Sequence, residues 1–90
     1  MVTRILIADD HEVVRSGLRS ILEAQPNWEV VAEAADGKEA ILKALATKPD
    51  VAILDYSMPV FNGIEATRQI RTRVPQTEVL VFTMHESDTL

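Results

Sequence analysis

Asp9, Asp10 and Asp55 carry the chemistry this sequence is equipped to do. Asp9 and Asp10 follow the short apolar run Arg4-Ile5-Leu6-Ile7-Ala8, and Asp55 follows another, Val51-Ala52-Ile53-Leu54. Runs this short and rich in β-branching are too brief for a helix and suit strands buried on both faces of a parallel sheet. A carboxylate at the end of such a strand survives only if it is paired, hydrated or bound to a metal. A parallel sheet brings the C-terminal ends of its strands to one edge, so Asp9 and Asp10 can face Asp55. Carboxylates that converge in a partly buried pocket repel one another unless they share a cation. Mg2+, a hard ion that takes oxygen ligands and keeps several waters, is the natural choice. In such a site one carboxylate can attack phosphorus to form an aspartyl phosphate, with the metal neutralising charge in transfer. Taken singly, Asp9 and Asp10 would equally well cap a helix starting near His11; the parallel with Asp55 favours the pocket.

Positioning these groups takes alternating elements. From His11 onward, Val13, Val14, Gly17, Leu18, Ile21 and Leu22 recur at helical spacing and predict one apolar stripe on a helix that stops near Gln25-Pro26. Trp28 to Glu33 alternates loosely and predicts a second strand. Asp36 with Glu39 makes a capping-box-like start for a helix through Ala40, Ile41, Ala44 and Leu45. After Asp55, Pro59 fixes its own φ and restricts Met58, and Asn62-Gly63 turns the chain into a third helix through Ile64, Thr67, Ile70, Arg71 and Val74. Glu78 to Thr83 predicts a fourth strand, and Ser87-Asp88 looks like the cap of a further helix. Such alternation means βαβ units with right-handed crossovers, an α/β doubly wound parallel sheet covered on both sides.

Composition narrows the classes of function. At 90 residues, 47% of them hydrophobic and 26% charged, the chain fits one globular domain and not a disordered one. The absence of cysteine removes disulfide, thiol-nucleophile and cysteine-metal chemistry. A net charge of −5 argues against nucleic-acid contact by this segment, because phosphate contacts need clustered Lys and Arg. The run from Val2 to Asp9 meets a charge too early for a signal peptide and no apolar run approaches a membrane span, so the expectation is a cytoplasmic protein with no membrane contact. His11 and His85 read as solvated loop residues, Trp28, Tyr56 and Phe61 as packing anchors, and Arg68, Arg71 and Arg73 as a solvated helix face.

Ile7-Ala8-Asp9-Asp10-His11, Ile53-Leu54-Asp55, Met58-Pro59 with Asn62-Gly63, and Val81-Phe82-Thr83 together resemble the receiver domain of two-component response regulators. The run from Asp9 to Leu18 further resembles the subfamily whose receiver precedes a helix-turn-helix output domain. The resemblance implies a flavodoxin-like fold with strand order 2-1-3-4-5. It implies a phosphoacceptor and not an enzyme, active at most in its own phosphotransfer and dephosphorylation. Asp55 would accept a phosphoryl group from a histidine kinase. Asp9, Asp10, Asp55 and the backbone carbonyl of Ser57 would hold Mg2+, and the Thr83 hydroxyl would turn toward the phosphoryl group. DNA contact would belong to an output domain absent from this chain.

One departure from the family pattern stands out. The family carries a phosphoryl-contacting lysine at the end of a fifth strand, and this sequence has no lysine after Lys48. Residues 1–90 are therefore expected to form a receiver incomplete at its C-terminus, lacking the last strand and helix. The fourth strand then becomes a bare apolar edge, and a homodimer or domain-swapped oligomer through it is expected. The alternative is a truncated or engineered receiver fragment that serves only as a dimerising structural unit and does not signal. An aspartate-nucleophile phosphohydrolase fits poorly, since such enzymes resemble Asp-x-Asp after the first strand and here the pair is adjacent.

Overall fold

A computed structural model describes residues 1–83, which form β1 (Thr3–Ala8), α1 (Glu12–Glu23), β2 (Trp28–Ala34), α2 (Gly37–Thr47), β3 (Val51–Asp55), α3 (Gly63–Arg73) and β4 (Glu78–Phe82). His85 and the helix start expected at Ser87-Asp88 lie outside the described residues. All strand pairs are parallel and run in the order β2-β1-β3-β4. This is the doubly wound, flavodoxin-like arrangement expected from the sequence.

The helix starts follow from their caps. Asp36 Oδ1 accepts the Glu39 N–H at 2.7 Å and caps α2, and Glu39 Oε1 reaches back to accept the N–H of Ala35, one residue before the cap, at 2.7 Å. Asn62 Oδ1 accepts the Glu65 N–H at 2.9 Å and does the same for α3. Lys48 in the left-handed region (φ 46°) ends α2 just before Pro49.

One sheet face carries Leu6, Ala8, Ala52 and Leu54, which form a buried core with Ala40, Ile41 and Ala44 of α2 and Ala66 and Ile70 of α3. Alanine at the contact positions lets both helices lie close to the strands. The other face, with Ile5, Ile7 and Val30, packs against α1 through Leu18 and Leu22. Here the structure corrects the sequence reading. Helical spacing offers one stripe from Val13 to Leu22, yet Val14, Leu18 and Leu22 turn inward while Val13 and Ile21 stay 85% and 66% exposed. Similarly, Ala52 and Leu54 of β3 are buried while Val51 and Ile53 are only partly so. Among the described residues one helix covers this face and two cover the other, so more apolar surface is presented than α1 can bury. Trp28 and Tyr56 are exposed and anchor nothing, Ile64 is exposed where Ala66 takes the inner position, and Phe61 does pack on the core.

The loop from β3 to α3 is docked on the start of α2. The Pro59 carbonyl accepts the N–H of Phe61 at 2.9 Å and that of Gly37 at 3.2 Å, and Val60 between them has φ 71°, rare for a β-branched residue. A Cβ at Gly37 would fall 1.9 Å from the Phe61 carbonyl oxygen. Gly37→Ala should therefore cost about 1–3 kcal/mol, as overpacking does. Gly17, inside α1 with nothing within 4 Å of its would-be Cβ, should gain roughly 0.5–1 kcal/mol on change to Ala. Urea unfolding of both variants checks the opposite signs.

Candidate functional site

The site is built by strand register. Ala8 pairs with Leu54, so Asp9, one residue past β1, and Asp55, the last of β3, come together at the C-terminal edge of the sheet. The Asp9 N–H donates to the Ala34 carbonyl at 3.0 Å, carrying the β1–β2 pairing one step further. The Asp9 carbonyl accepts from the Arg15 guanidinium at 2.6 Å, and Arg15 Nε donates to Glu33 Oε1 at 3.0 Å. Arg15 thus ties α1, the end of β1 and β2 into one frame around the aspartate.

Asp9 is fully buried and Asp55 nearly so, whereas Asp10 reaches solvent. One ligand atom each from Asp9, Asp10, His11 and Asp55 can be chosen so that all lie within 4.8 Å of one another. Burial pushes the Asp55 carboxyl up from the usual range; a long hydrogen bond from the Ser57 N–H (3.4 Å to Oδ1) opposes this, and the Asp9 and Asp10 charges push it further up. The His11 imidazole is also raised, by its hydrogen bond to Asp9 first and then by the Asp10 charge.

Asp9 Oδ1 accepts both the backbone N–H of His11 at 2.7 Å and its Nδ1 at 3.0 Å. Asp9 Oδ2 has no hydrogen-bond partner among the described residues, although it is fully buried. An orphaned carboxylate oxygen of this kind is costly, and a cation satisfies it. Hard oxygen donors with one side open to solvent fit Mg2+, which Asp9, Asp10 and Asp55 would hold.

The remaining expected site residues share this sheet edge. Ser57 follows Asp55 in the docked loop. Thr83, exposed at the end of β4, lines a shallow recess with Tyr56, Val81 and Phe82, and the Tyr56 N–H donates to the Phe82 carbonyl at 2.7 Å. His11 was not expected here. It is exposed, as its solvated reading required, but its Nδ1 stands 3.0 Å from Asp9 and 3.1 Å from Asp10. The available signal was its position directly after the aspartate pair, where the turn in which Asp9 Oδ1 accepts the His11 N–H folds the ring back.

Residues 5–90 match the family model of the response regulator receiver domain. The chain belongs to that family. The response regulator protein VraR of Staphylococcus aureus is 47% identical over 88 residues, which are 98% of this chain and 42% of VraR. The chain spans less than half the length of the curated relatives it matches, which are named as response regulators. Among solved structures, a LuxR-family two-component response regulator from Aurantimonas sp. SI85-9A1 is 44% identical with a TM-score of 0.89, covering 96% of this chain and 61% of that one. A CheX–CheY–BeF3–Mg+2 complex from Borrelia burgdorferi gives 25% identity and a TM-score of 0.85, covering 97% of this chain and 66% of that one. No helix among the described residues is long and apolar enough to cross a membrane.

The raised Asp55 pKa fixes the sign of a pH effect in the receiver. Burial and like charges favour protonated Asp55 in the fold, so the stability it contributes is present at low pH and is lost as pH rises through the raised pKa. In a chelator, Asp55→Asn should melt above the wild type at pH 7, with the gap closing toward pH 4. Thermal unfolding across that range checks this, and a gap independent of pH would contradict it.

Proposed function

We propose that this receiver is a phosphoacceptor, with Asp55 taking a phosphoryl group from a histidine kinase in the presence of Mg2+. The observation that carries this reading is the buried Asp55 carboxylate beside Asp9, whose Oδ2 lacks any donor among the described residues. The Borrelia complex, which contains BeF3 and Mg2+, shares the fold and supports it. In the transfer, an Asp55 oxygen forms a bond to phosphorus as the P–N bond of the kinase phosphohistidine breaks, and the departing imidazole nitrogen takes up a proton from solvent. Asp9, Asp10, Asp55 and the Ser57 backbone carbonyl would hold Mg2+, which supplies charge neutralisation for the phosphoryl oxygens. The docked loop keeps Ser57 in place beside the acceptor. Burial of Asp55 limits competing solvation of the nucleophile, and the open side at Asp10 leaves a way in for the donor.

A phosphoryl group adds about −2 of charge at the sheet edge, where the Thr83 hydroxyl can turn to it and so alter the surface around β4. In this reading the chain is a cytoplasmic signalling module and not an enzyme. Its output is transcriptional, through a DNA-binding domain outside this chain, in keeping with the greater length of its relatives. It associates as a homodimer or domain-swapped oligomer along β4, whose outer edge has no strand partner among the described residues and whose Leu80 is 58% exposed. The exposed Val13, Ile21 and Leu80 also favour a second reading, a dimerising structural unit without signalling.

Native mass spectrometry after incubation with Mg2+ and a small acyl-phosphate donor separates the two. The phosphoacceptor gains one phosphoryl group per chain, and Asp55→Asn gains none. A folded dimer without phosphoryl gain would leave only the structural unit, and equal labelling of the variant would remove Asp55 as the acceptor.

A further inference from the structure

His11 occupies the N-cap of α1 with extended backbone (φ −99°, ψ 111°) but makes no side-chain hydrogen bond to the helix. A capping residue normally turns its side chain onto the first helical N–H groups. The imidazole turns the other way, to the sheet edge. Its Nδ1 lies 3.0 Å from Asp9 Oδ1 and 3.1 Å from Asp10 Oδ1, and one of its ring nitrogens shares the 4.8 Å neighbourhood that includes Asp55. The buried Asp9 Oδ2, without a donor among the described residues, gives an independent pointer to a cation in the same place. Neighbouring ligands around an octahedral ion with bonds of about 2.1 Å lie about 3.0 Å apart, so both separations suit adjacent corners of one coordination shell.

We infer, on the reading of the acidic cluster as a divalent-cation site, that His11 Nδ1 is a further protein ligand there, so that the site favours first-row ions such as Mn2+ and Zn2+ over Mg2+. The chemistry lies in the donor set. Mg2+ is a hard ion that dehydrates reluctantly and gains little from an imidazole, whereas Mn2+ tolerates nitrogen and Zn2+ seeks it. Carboxylates alone would also bind these ions above Mg2+, so a preference by itself proves nothing about the ring. What marks His11 is selectivity that disappears with the imidazole. The ring stands 63% exposed and packs into no core, so its replacement should leave the fold intact.

The direct probe is pulsed electron paramagnetic resonance of the chain loaded with Mn2+, which detects an imidazole 14N bonded to the metal. It is paired with Mg2+ and Mn2+ titrations of the wild type, His11→Gln and His11→Ala. The wild type shows the nitrogen coupling and both variants lose it. Their Mn2+ dissociation constants rise about tenfold, while those for Mg2+ stay within twofold. No nitrogen coupling in the wild type, or equal weakening for both ions, would overturn the assignment and reduce His11 to a hydrogen-bond donor for Asp9. Phosphoryl uptake on Asp55 is scored in the same samples. A coupled nitrogen without uptake keeps the ligand and removes the phosphoacceptor; uptake without coupling does the reverse.

Discussion

The in-register pairing of β1 with β3 is the constraint on which the rest of this receiver depends. With Ala8 opposite Leu54, the chain has no choice but to bring Asp9 and Asp55 to the same sheet edge. A slip of one residue would turn Leu6, Ala8, Ala52 and Leu54 away from α2 and α3 and exchange the core face for the partly covered one. Apolar packing on that face thus holds like charges at a separation they would not choose. Burial at that edge raises the Asp55 carboxyl, with the Asp9 and Asp10 charges adding to it, and leaves Asp9 Oδ2 without a donor among the described residues.

Two further devices hold the geometry. Arg15 crosses from α1 to the Asp9 carbonyl and Glu33, fixing the end of β1 against β2. On the opposite side, Gly37 gives the Pro59–Phe61 segment a place against α2, so the residues after Asp55 are set by a helix that contributes no ligand. Backbone contact, and not side-chain chemistry, positions half of the site. That is why a glycine far from the aspartates in sequence matters to them.

Much of this was legible in the sequence, for identifiable reasons. Short β-branched runs ending in aspartate have few other solutions, and the Asp36/Glu39 cap and the Asn62-Gly63 turn are local signals that tertiary packing did not override. The division of α1 was not legible. Periodicity identifies Val13 and Ile21 as apolar, but cannot tell how much of the sheet lies beneath the helix to receive them. The turn at Val60 was equally hidden, since its positive φ is imposed by hydrogen bonds to Pro59 and no glycine or asparagine stands there to announce it. His11 escaped because the ring's direction depends on the turn after Asp9 and not on its own type or spacing.

That converged carboxylates require a shared cation is the central claim, and it is tested most directly by thermal unfolding at pH 7 over a range of Mg2+ concentration, with Asp10→Ala beside the wild type. An ion that binds only the folded receiver stabilises it by about 2.7 kcal/mol at a hundredfold excess over its dissociation constant. The wild-type midpoint should climb steadily with Mg2+ while that of the variant stays nearly flat. A wild-type midpoint indifferent to Mg2+, or a rise of the same size in both proteins, would contradict the claim.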